Sequence, residues 1–300
     1  MRMTITRVQT VAASAVAVAL VAAGTLSASA SVRAHSTPSA KLDAKAAAMV
    51  PTAFKSGIQA GTDATYPPDE SVNNAGKIIG FDIDLINAIG TTLGVKVTTN
   101  NVTFDNIIPG IQAGNYGIGN SSFTDTKARQ ASVNFVDYFV AGEAFYKKAS
   151  NKSATFSSLA KLCGSSVAVE TGTVEESDAQ TAATACTGGK TITVKSFDTQ
   201  DQANLAVSSG AATFGFADSQ VAGYIVAQSK GVFALTGSAI NSAPYGIATA
   251  KSADGLALAK AIQAALKDLE ANGVYKAILT KWGVQAGAVT AAKVVLNGGK

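Results

Sequence analysis

Histidine is almost absent from this chain of 300 residues: it has one, His35, while lysine and arginine together number 24. Arginine is nearly as scarce, occurring only as Arg2, Arg7, Arg33 and Arg129. If the first few dozen residues stand outside the fold, the folded body holds no histidine and a single arginine. His-based triads, Cys–His dyads and histidine-ligated zinc are then excluded. Charge is thin as well, 15% of residues against ~25% in an average globular protein. With 47% hydrophobic residues, the chain is neither a disordered nor a nucleic-acid-coating polymer. A glycine-rich phosphate loop with lysine, paired-cysteine metal spacing and a Gly-x-Ser-x-Gly elbow are all missing. No metal and no cofactor is therefore expected. The length suits about two domains of ordinary size.

Residues 1–30 have the layout of a secretory signal. Arg2 and Arg7 form a basic n-region, Val11 to Ala23 is apolar but for Ser14, and Ala28-Ser29-Ala30 offers small residues for cleavage. The apolar run is shorter than the ~18 residues a membrane-spanning helix needs. No lipid-anchor cysteine follows, since Leu26-Ser27-Ala28-Ser29 ends in serine. The expectation is a soluble exported protein, periplasmic or cell-surface, whose residues 31–49 form a polar, Ala-rich tether carrying Arg33 and His35. Both cysteines, Cys163 and Cys186, lie deep in the chain. In an oxidising compartment an even pair is most simply a disulfide, the alternative being two buried thiols.

Beyond the tether, short β-like runs alternate with amphipathic helices. Strands are expected over 56–62, 77–81, 95–102, 165–170, 191–195 and 212–216, and helices over 82–93, 105–113, 199–208, 221–228, 257–271 and 274–282. Leu85, Ile86, Ile89 and Leu93 share one helical face, with Gly94 placed to end it. Such alternation points to α/β architecture with largely parallel sheets. Split near Ala144 and Asn241, residues 50–143 with 242–300 carry 12 basic and 12 acidic side chains, and residues 144–241 carry seven of each. No basic face exists for nucleic acid or an anionic membrane.

Arg129 is the most informative residue. A guanidinium grips a carboxylate through two parallel hydrogen bonds, which lysine cannot imitate. Arg129 follows the polar stretch Asn120-Ser121-Ser122-Phe123-Thr124-Asp125-Thr126 off a predicted strand end, where ligands of open α/β sheets bind. The alternative is a surface arginine pairing with Asp125. Thr171-Gly172-Thr173-Val174-Glu175-Glu176 is a strand-to-helix turn with a capping box, serving either an anion or simply the helix start. Asp63-Ala64-Thr65-Tyr66-Pro67-Pro68 is a strand end followed by a rigid turn. Phe104 is a core residue or a ligand platform. Asp218 is a helix N-cap or an acceptor for a cation.

In their order along the chain, these segments resemble the solute-binding proteins of polar-amino-acid ABC importers, bacterial solute-binding protein family 3. The resemblance rests on Asp63 to Pro68, Gly80-Phe-Asp-Ile-Asp-Leu85, Phe104-Asp-Asn-Ile-Ile-Pro-Gly110, Ser122-Phe-Thr-Asp-Thr126 with Arg129, Gly172-Thr173, Ala217-Asp-Ser219 and Lys281-Trp-Gly283. It implies a two-lobed periplasmic-binding-protein-like α/β fold with two hinge strands, crossing near Ala144–Lys147 and Asn241–Tyr245. Residues 50–143 and 242–300 would form lobe 1, and residues 144–241 lobe 2.

By the same resemblance Arg129 holds the carboxylate of a free L-amino acid, with Thr124 and Thr173 assisting. Asp218 and the Ser122 carbonyl take the α-ammonium. Tyr66 and Phe104 sandwich the side chain, and Asp63 faces its polar end. Glu170 and Glu175 near the rim favour a basic or amide side chain, and no second arginine is present for an acidic one. The expected protein is a monomer that delivers its ligand to an ABC transporter permease and is not an enzyme. The alternatives are an exported enzyme on the same scaffold, resembling cyclohexadienyl dehydratase, with Glu170 or Glu175 as general acid, and a ligand-sensing receptor partner. Two positions depart from the family pattern: Asp69, where phenylalanine is usual, and Asn120, where an aliphatic residue is usual.

Overall fold

In the computed structural model, the described residues are 38–152 and 158–299; the expected signal and the first part of the tether lie outside them. The tether does not extend to Met49. Helix α1 (Ala44–Ala48) is capped by Asp43, whose carboxylate accepts from the Lys45 N–H at 2.8 Å. Alanine has the strongest helix propensity of the residues, and burial of Ala46 and Val50 in the main core fixes what composition alone presented as linker.

Two βαβ-rich halves follow. The first runs through β1 (Ile58–Thr62), the hairpin-like β2 (Thr65–Tyr66), β3 (Glu70–Val72) and β4 (Ile78–Ile79), then α2 (Phe81–Leu93), β5 (Val97–Asn101), α3 (Phe104–Gln112), β6 (Ile118–Gly119) and α4 (Lys127–Gln130). The long β7 (Val133–Lys148) leads into β8 (Ser166–Glu170), α5 (Val174–Thr184), β9 (Thr193–Phe197), α6 (Gln200–Ser209), β10 (Phe214–Asp218) and α7 (Ser219–Gln228). A second long strand, β11 (Phe233–Ala250), returns to the first half, which α8 (Ala253–Ala271) and α9 (Val274–Trp282) complete.

Eight strands form one sheet in the order β5-β1-β6-β11-β7-β10-β8-β9. β1 is parallel to β5 and β6, and β8 is parallel to β9 and β10. β7 and β11 run antiparallel between these triplets and to each other. The result is a two-lobed mixed α/β fold with two long connecting strands. Their ladder loses register between Thr236 and Ile240 and again between Ile240 and Ala243, opposite Glu143 and Ala141. Gly142 sits at this irregularity: a Cβ there would lie 2.8 Å from the Ile240 carbonyl oxygen.

Packing follows the apolar spacing. α2 buries Phe81, Leu85, Ile86, Ile89 and Leu93 and ends on Gly94, which takes the left-handed conformation at φ 68° that glycine adopts without penalty. These side chains join Leu258, Ile262, Leu266 and Leu269 of α8 in the largest core. The expected extended segment over 77–81 shortens to β4 because Gly80 turns the chain at φ 148° and Phe81 opens α2. The second lobe packs one cluster on each face of its sheet. The C-terminal segment lies along β7, bridging Val136 to Leu296 and Phe139 to Ala288, which covers an otherwise unpaired edge. Cys163 and Cys186 are disulfide-bonded across a separation of 23 residues, tying the turn before β8 to the end of α5.

Candidate functional site

The parallel strands aim their carboxyl ends at one cleft between the lobes. Asp63 follows β1, Ser121 and Ser122 follow β6, Glu170 closes β8 and Asp218 closes β10. Open α/β sheets bind ligands at such ends. The cleft is narrow, with room for about one water molecule between its walls. All eight residues expected to hold a ligand lie on its lining: Asp63, Tyr66, Phe104, Ser122, Thr124 and Arg129 on one wall, Thr173 and Asp218 on the other.

Arg129 sits on the short helix α4, whose N-cap Thr126 accepts from the Arg129 N–H at 3.2 Å. Its guanidinium does not pair with Asp125; Gln130 donates to that carboxylate instead, at 2.8 Å. Nη1 donates to the Thr124 carbonyl at 2.9 Å, and Nη2 crosses the cleft to the Gly172 carbonyl at 2.8 Å. The guanidinium carbon lies 5.3 Å from the Phe104 ring centre and 5.5 Å from that of Phe123, and these two rings are stacked at 4.5 Å. Carbonyls and π faces thus orient the fork. Among the described residues Arg129 forms no ion pair with a carboxylate. Burial pulls the guanidinium pKa down, while Glu175 and Asp218 push it back up.

Asp218 occupies the N-cap position of α7 but makes no side-chain cap bond. Its carboxylate turns across the cleft and accepts from the Tyr66 hydroxyl at 3.0 Å, and its N–H donates to the same oxygen at 3.0 Å. Burial raises the carboxyl to about 7, against hydrogen bonds from Tyr245 and Tyr66 and the charge of Arg129. Thr173 caps α5 as the capping box predicts: its hydroxyl accepts from the Glu176 N–H at 3.2 Å and donates to the Glu170 carbonyl at 2.7 Å. Glu176 reaches back to the Gly172 N–H at 2.7 Å. The Thr173 hydroxyl is therefore already engaged.

Asp63 has two occupations. One oxygen accepts from the Thr65 N–H and hydroxyl at 3.1 and 2.7 Å, and the other from the Phe104 N–H at the start of α3 at 3.0 Å. Glu170 lies on the same cleft lining. Three lining residues were not among those expected from sequence: Glu70, Ser121 and Val174. Ser121 donates to Glu70 at 2.7 Å and accepts from the Asp63 N–H at 2.9 Å. The sequence signal for Ser121 was its place beside Ser122; Glu70 carried none, because the turn that swings it inward is tertiary. Glu70, Glu170 and Glu175 each expose one buried oxygen that accepts from no hydroxyl or amide. Burial, then neighbouring negative charge, raises all three well above the carboxylate range.

Asp69 and Asn120 lie behind the lining rather than on it. Asp69 accepts from the Ser122 hydroxyl at 2.8 Å and from Gln220 of α7 at 2.7 Å. Asn120 donates to the Asp82 carbonyl at 2.9 Å. Asp82 accepts from the Ser122 N–H at 3.0 Å and the Tyr138 hydroxyl at 2.8 Å. Together these groups hold Ser122 at φ 50°, a conformation that costs a non-glycine residue energy and recurs at functional sites.

Known proteins resemble this chain in sequence and in fold. The arginine-binding protein of Corynebacterium glutamicum is 32% identical over 252 residues, covering 82% of this chain and 81% of that protein. An ancestral arginine-binding protein, solved with arginine bound and also with glutamine bound, superposes with a TM-score of 0.69 at 34% identity; in the arginine-bound form the match covers 75% of this chain and 97% of that one. An ancestral amino acid-binding protein, a precursor of cyclohexadienyl dehydratase, superposes with a TM-score of 0.67 at 30% identity, covering 75% and 94%. Residues 58–285 match the family of bacterial extracellular solute-binding proteins, family 3, and to that family this chain belongs.

Proposed function

We propose that this protein is an exported carrier of a basic amino acid, arginine foremost, which it captures by lobe closure and hands to an ABC transporter permease. The observation that carries the reading is the acidic lining of the cleft. Asp63, Glu70, Glu170, Glu175 and Asp218 line it, all buried, against the one cation Arg129. Burial disfavours the charged form of such carboxyls until a cation is supplied to pair with them. A ligand bearing one carboxylate and two cations supplies that pairing, whereas a dicarboxylate does not. The names of the relatives, arginine-binding proteins among them, support the same ligand.

In this reading Arg129 takes the α-carboxylate, Asp218 with Ser122 takes the α-ammonium, and the acids around Asp63 take the side-chain cation. Closure joins the lobes through Tyr66 to Asp218, Asp69 to Gln220 and Arg129 to Gly172. The lobes pivot where β7 and β11 lose register, at 141–143 and 240–243, next to the boundary at residues 144 and 241. Ligand drives closure by its affinity difference between the two states, and a swing from 1:99 to 99:1 requires about 5.5 kcal/mol. The protein acts as a monomer and without a cofactor. No helix among the described residues is long and apolar enough to cross a membrane.

A thermal-shift screen of the twenty amino acids, followed by calorimetry, tests the reading. Arginine, then lysine, should give the largest stabilisation, and glutamate none. A leading shift with an acidic or aliphatic amino acid would overturn the assignment. The enzyme reading has one supporting observation, the buried Glu170 and Glu175 carboxyls on the cleft lining, which burial pushes well above the usual carboxylate range. Retention of unchanged arginine at one equivalent, with no product, decides against it.

A further inference from the structure

Residues 286–299 lie beyond the part of the chain that matches the family, yet they end on the loop that carries Arg129. From Val294 onward a series of hydrogen bonds holds this segment. Gln263 of α8 donates to the Val294 carbonyl at 2.9 Å. Along β7, the Asp137 N–H donates to the Val295 carbonyl at 2.9 Å and the Asn297 N–H to the Phe135 carbonyl at 3.0 Å. The Asn297 side chain accepts from the Phe135 N–H at 2.7 Å. The Gly299 N–H then donates to Asp125 Oδ2 at 2.8 Å, a buried bond between residues 174 positions apart. A Cβ on Gly299 would overlap the Asp125 carbonyl oxygen, so the absence of a side chain is what allows the approach.

Asp125 is 1% exposed, and its two carboxylate oxygens have different partners. Oδ2 takes Gly299, and Oδ1 takes Gln130 Nε2 at 2.8 Å, at the C-terminal end of α4. Helix α4 is one turn long and buries no residue, so neither helix cooperativity nor apolar packing holds it. Its hydrogen bonds decide where it sits. Thr126 accepts from the Arg129 N–H at its start, and Gln130 ties its end to Asp125. The Asp125 N–H is fixed on the Pro244 carbonyl at 2.8 Å; with one oxygen bonded its carboxylate could still turn, and the second bond, from Gly299, fixes its plane. We propose that the segment 294–299 is a strap that positions Arg129: Gly299 fixes the Asp125 carboxylate, Asp125 fixes Gln130, and the turn between them aims the guanidinium at the ligand carboxylate. Asp125 and Gly299 are positioning residues, since neither lies on the cleft lining. The inference rests on the proposed role of Arg129 in amino-acid capture.

Removing residues 298–300 deletes the Gly299 donor and leaves Val295, Leu296 and Asn297 on β7. In the ligand-free protein, hydrogen exchange should quicken at the amides of 129–131, which close the turn of α4, while those of β7 keep their protection. Arginine affinity, by calorimetry, should fall about tenfold, the scale on which supporting residues modulate a site they do not touch. Gly299→Ala keeps the chain length and should reproduce both changes. Asp125→Ala removes the same bond from the other side, so truncation in that background should cost less than about twofold more. Unchanged exchange at 129–131 on truncation, or the same affinity loss in the Asp125→Ala background as in the wild type, overturns the inference while amino-acid capture stands. Failure of the full-length protein to bind any amino acid overturns the proposed function, and the exchange rates alone then decide whether the strap holds α4.

Discussion

Arg129 binds two backbone carbonyls and salt-bridges no acid among the described residues, so its charge remains available to a carboxylate. Removing one partner of a desolvated, hydrogen-bonded charge pair costs about 2–5 kcal/mol. Arg129→Ala should therefore weaken amino-acid binding by about thirtyfold or more, and Arg129→Lys by less, since lysine keeps the charge and loses the fork. Calorimetry measures both, and retained affinity in the alanine variant would remove Arg129 from the site. The residue scale also separates the alternatives the sequence left open. Asp218 stands at an N-cap position, yet its side chain bonds Tyr66 across the cleft instead of the helix it precedes. Thr173 does what its capping box announces. A cap can be read locally because both partners lie within one turn; a bond spanning 152 residues cannot.

At the scale of elements, β7 and β11 approach closely where their register fails. Gly142 allows this, and its Cβ would meet the Ile240 carbonyl oxygen at 2.8 Å and the Ala239 Cβ at 3.3 Å. Gly142→Ala should push the strands apart, lowering stability by about 1–3 kcal/mol and weakening ligand binding beyond that of an alanine substitution on an exposed strand face. Chemical denaturation with calorimetry measures both effects. The disulfide provides a contrast. It closes a 23-residue loop in the second lobe, worth about 3 kcal/mol in the chain-entropy view, and neither cysteine lines the cleft. Replacing both cysteines by alanine should lower the urea midpoint accordingly and leave ligand affinity unchanged. Most elements were legible in the sequence because apolar spacing repeats locally: α9 spans 274–282 as expected, and α2 begins one residue earlier than expected, at Phe81. Helix α1 was not, because an Ala-rich segment reads as linker until Ala46 and Val50 find a core to enter.

The whole molecule gathers acid in its interior, and that has a consequence for stability. Burial raises Asp82 and Asp218 to about 7 and Asp137 and Glu143 to about 8. Each binds its proton more tightly folded than unfolded. The associated stability is fully present below the ordinary carboxylate range near pH ~4 and is lost as pH rises through the folded values. The melting temperature of the ligand-free protein should therefore fall between about pH 5 and about pH 8. On the proposed function, saturating arginine should offset part of the loss by pairing with the acids that line the cleft. Calorimetric scans across pH measure this, and a melting temperature rising over that window would contradict it.

The sequence by itself determined the alternation of strands and helices, the caps, the cysteine pair and the lone arginine, because each depends on residue type and short-range spacing. It also placed the eight candidate ligand residues in order along the chain. Tertiary structure alone decided that Glu70 and Glu170 line one cleft with Asp63 and Ser121, that Asp69 lies behind it on Ser122 and Gln220, and that Arg129 reaches Gly172. These contacts join the ends of strands far apart in the chain. The low dielectric that gives them their chemistry exists only once the two lobes have brought those ends together.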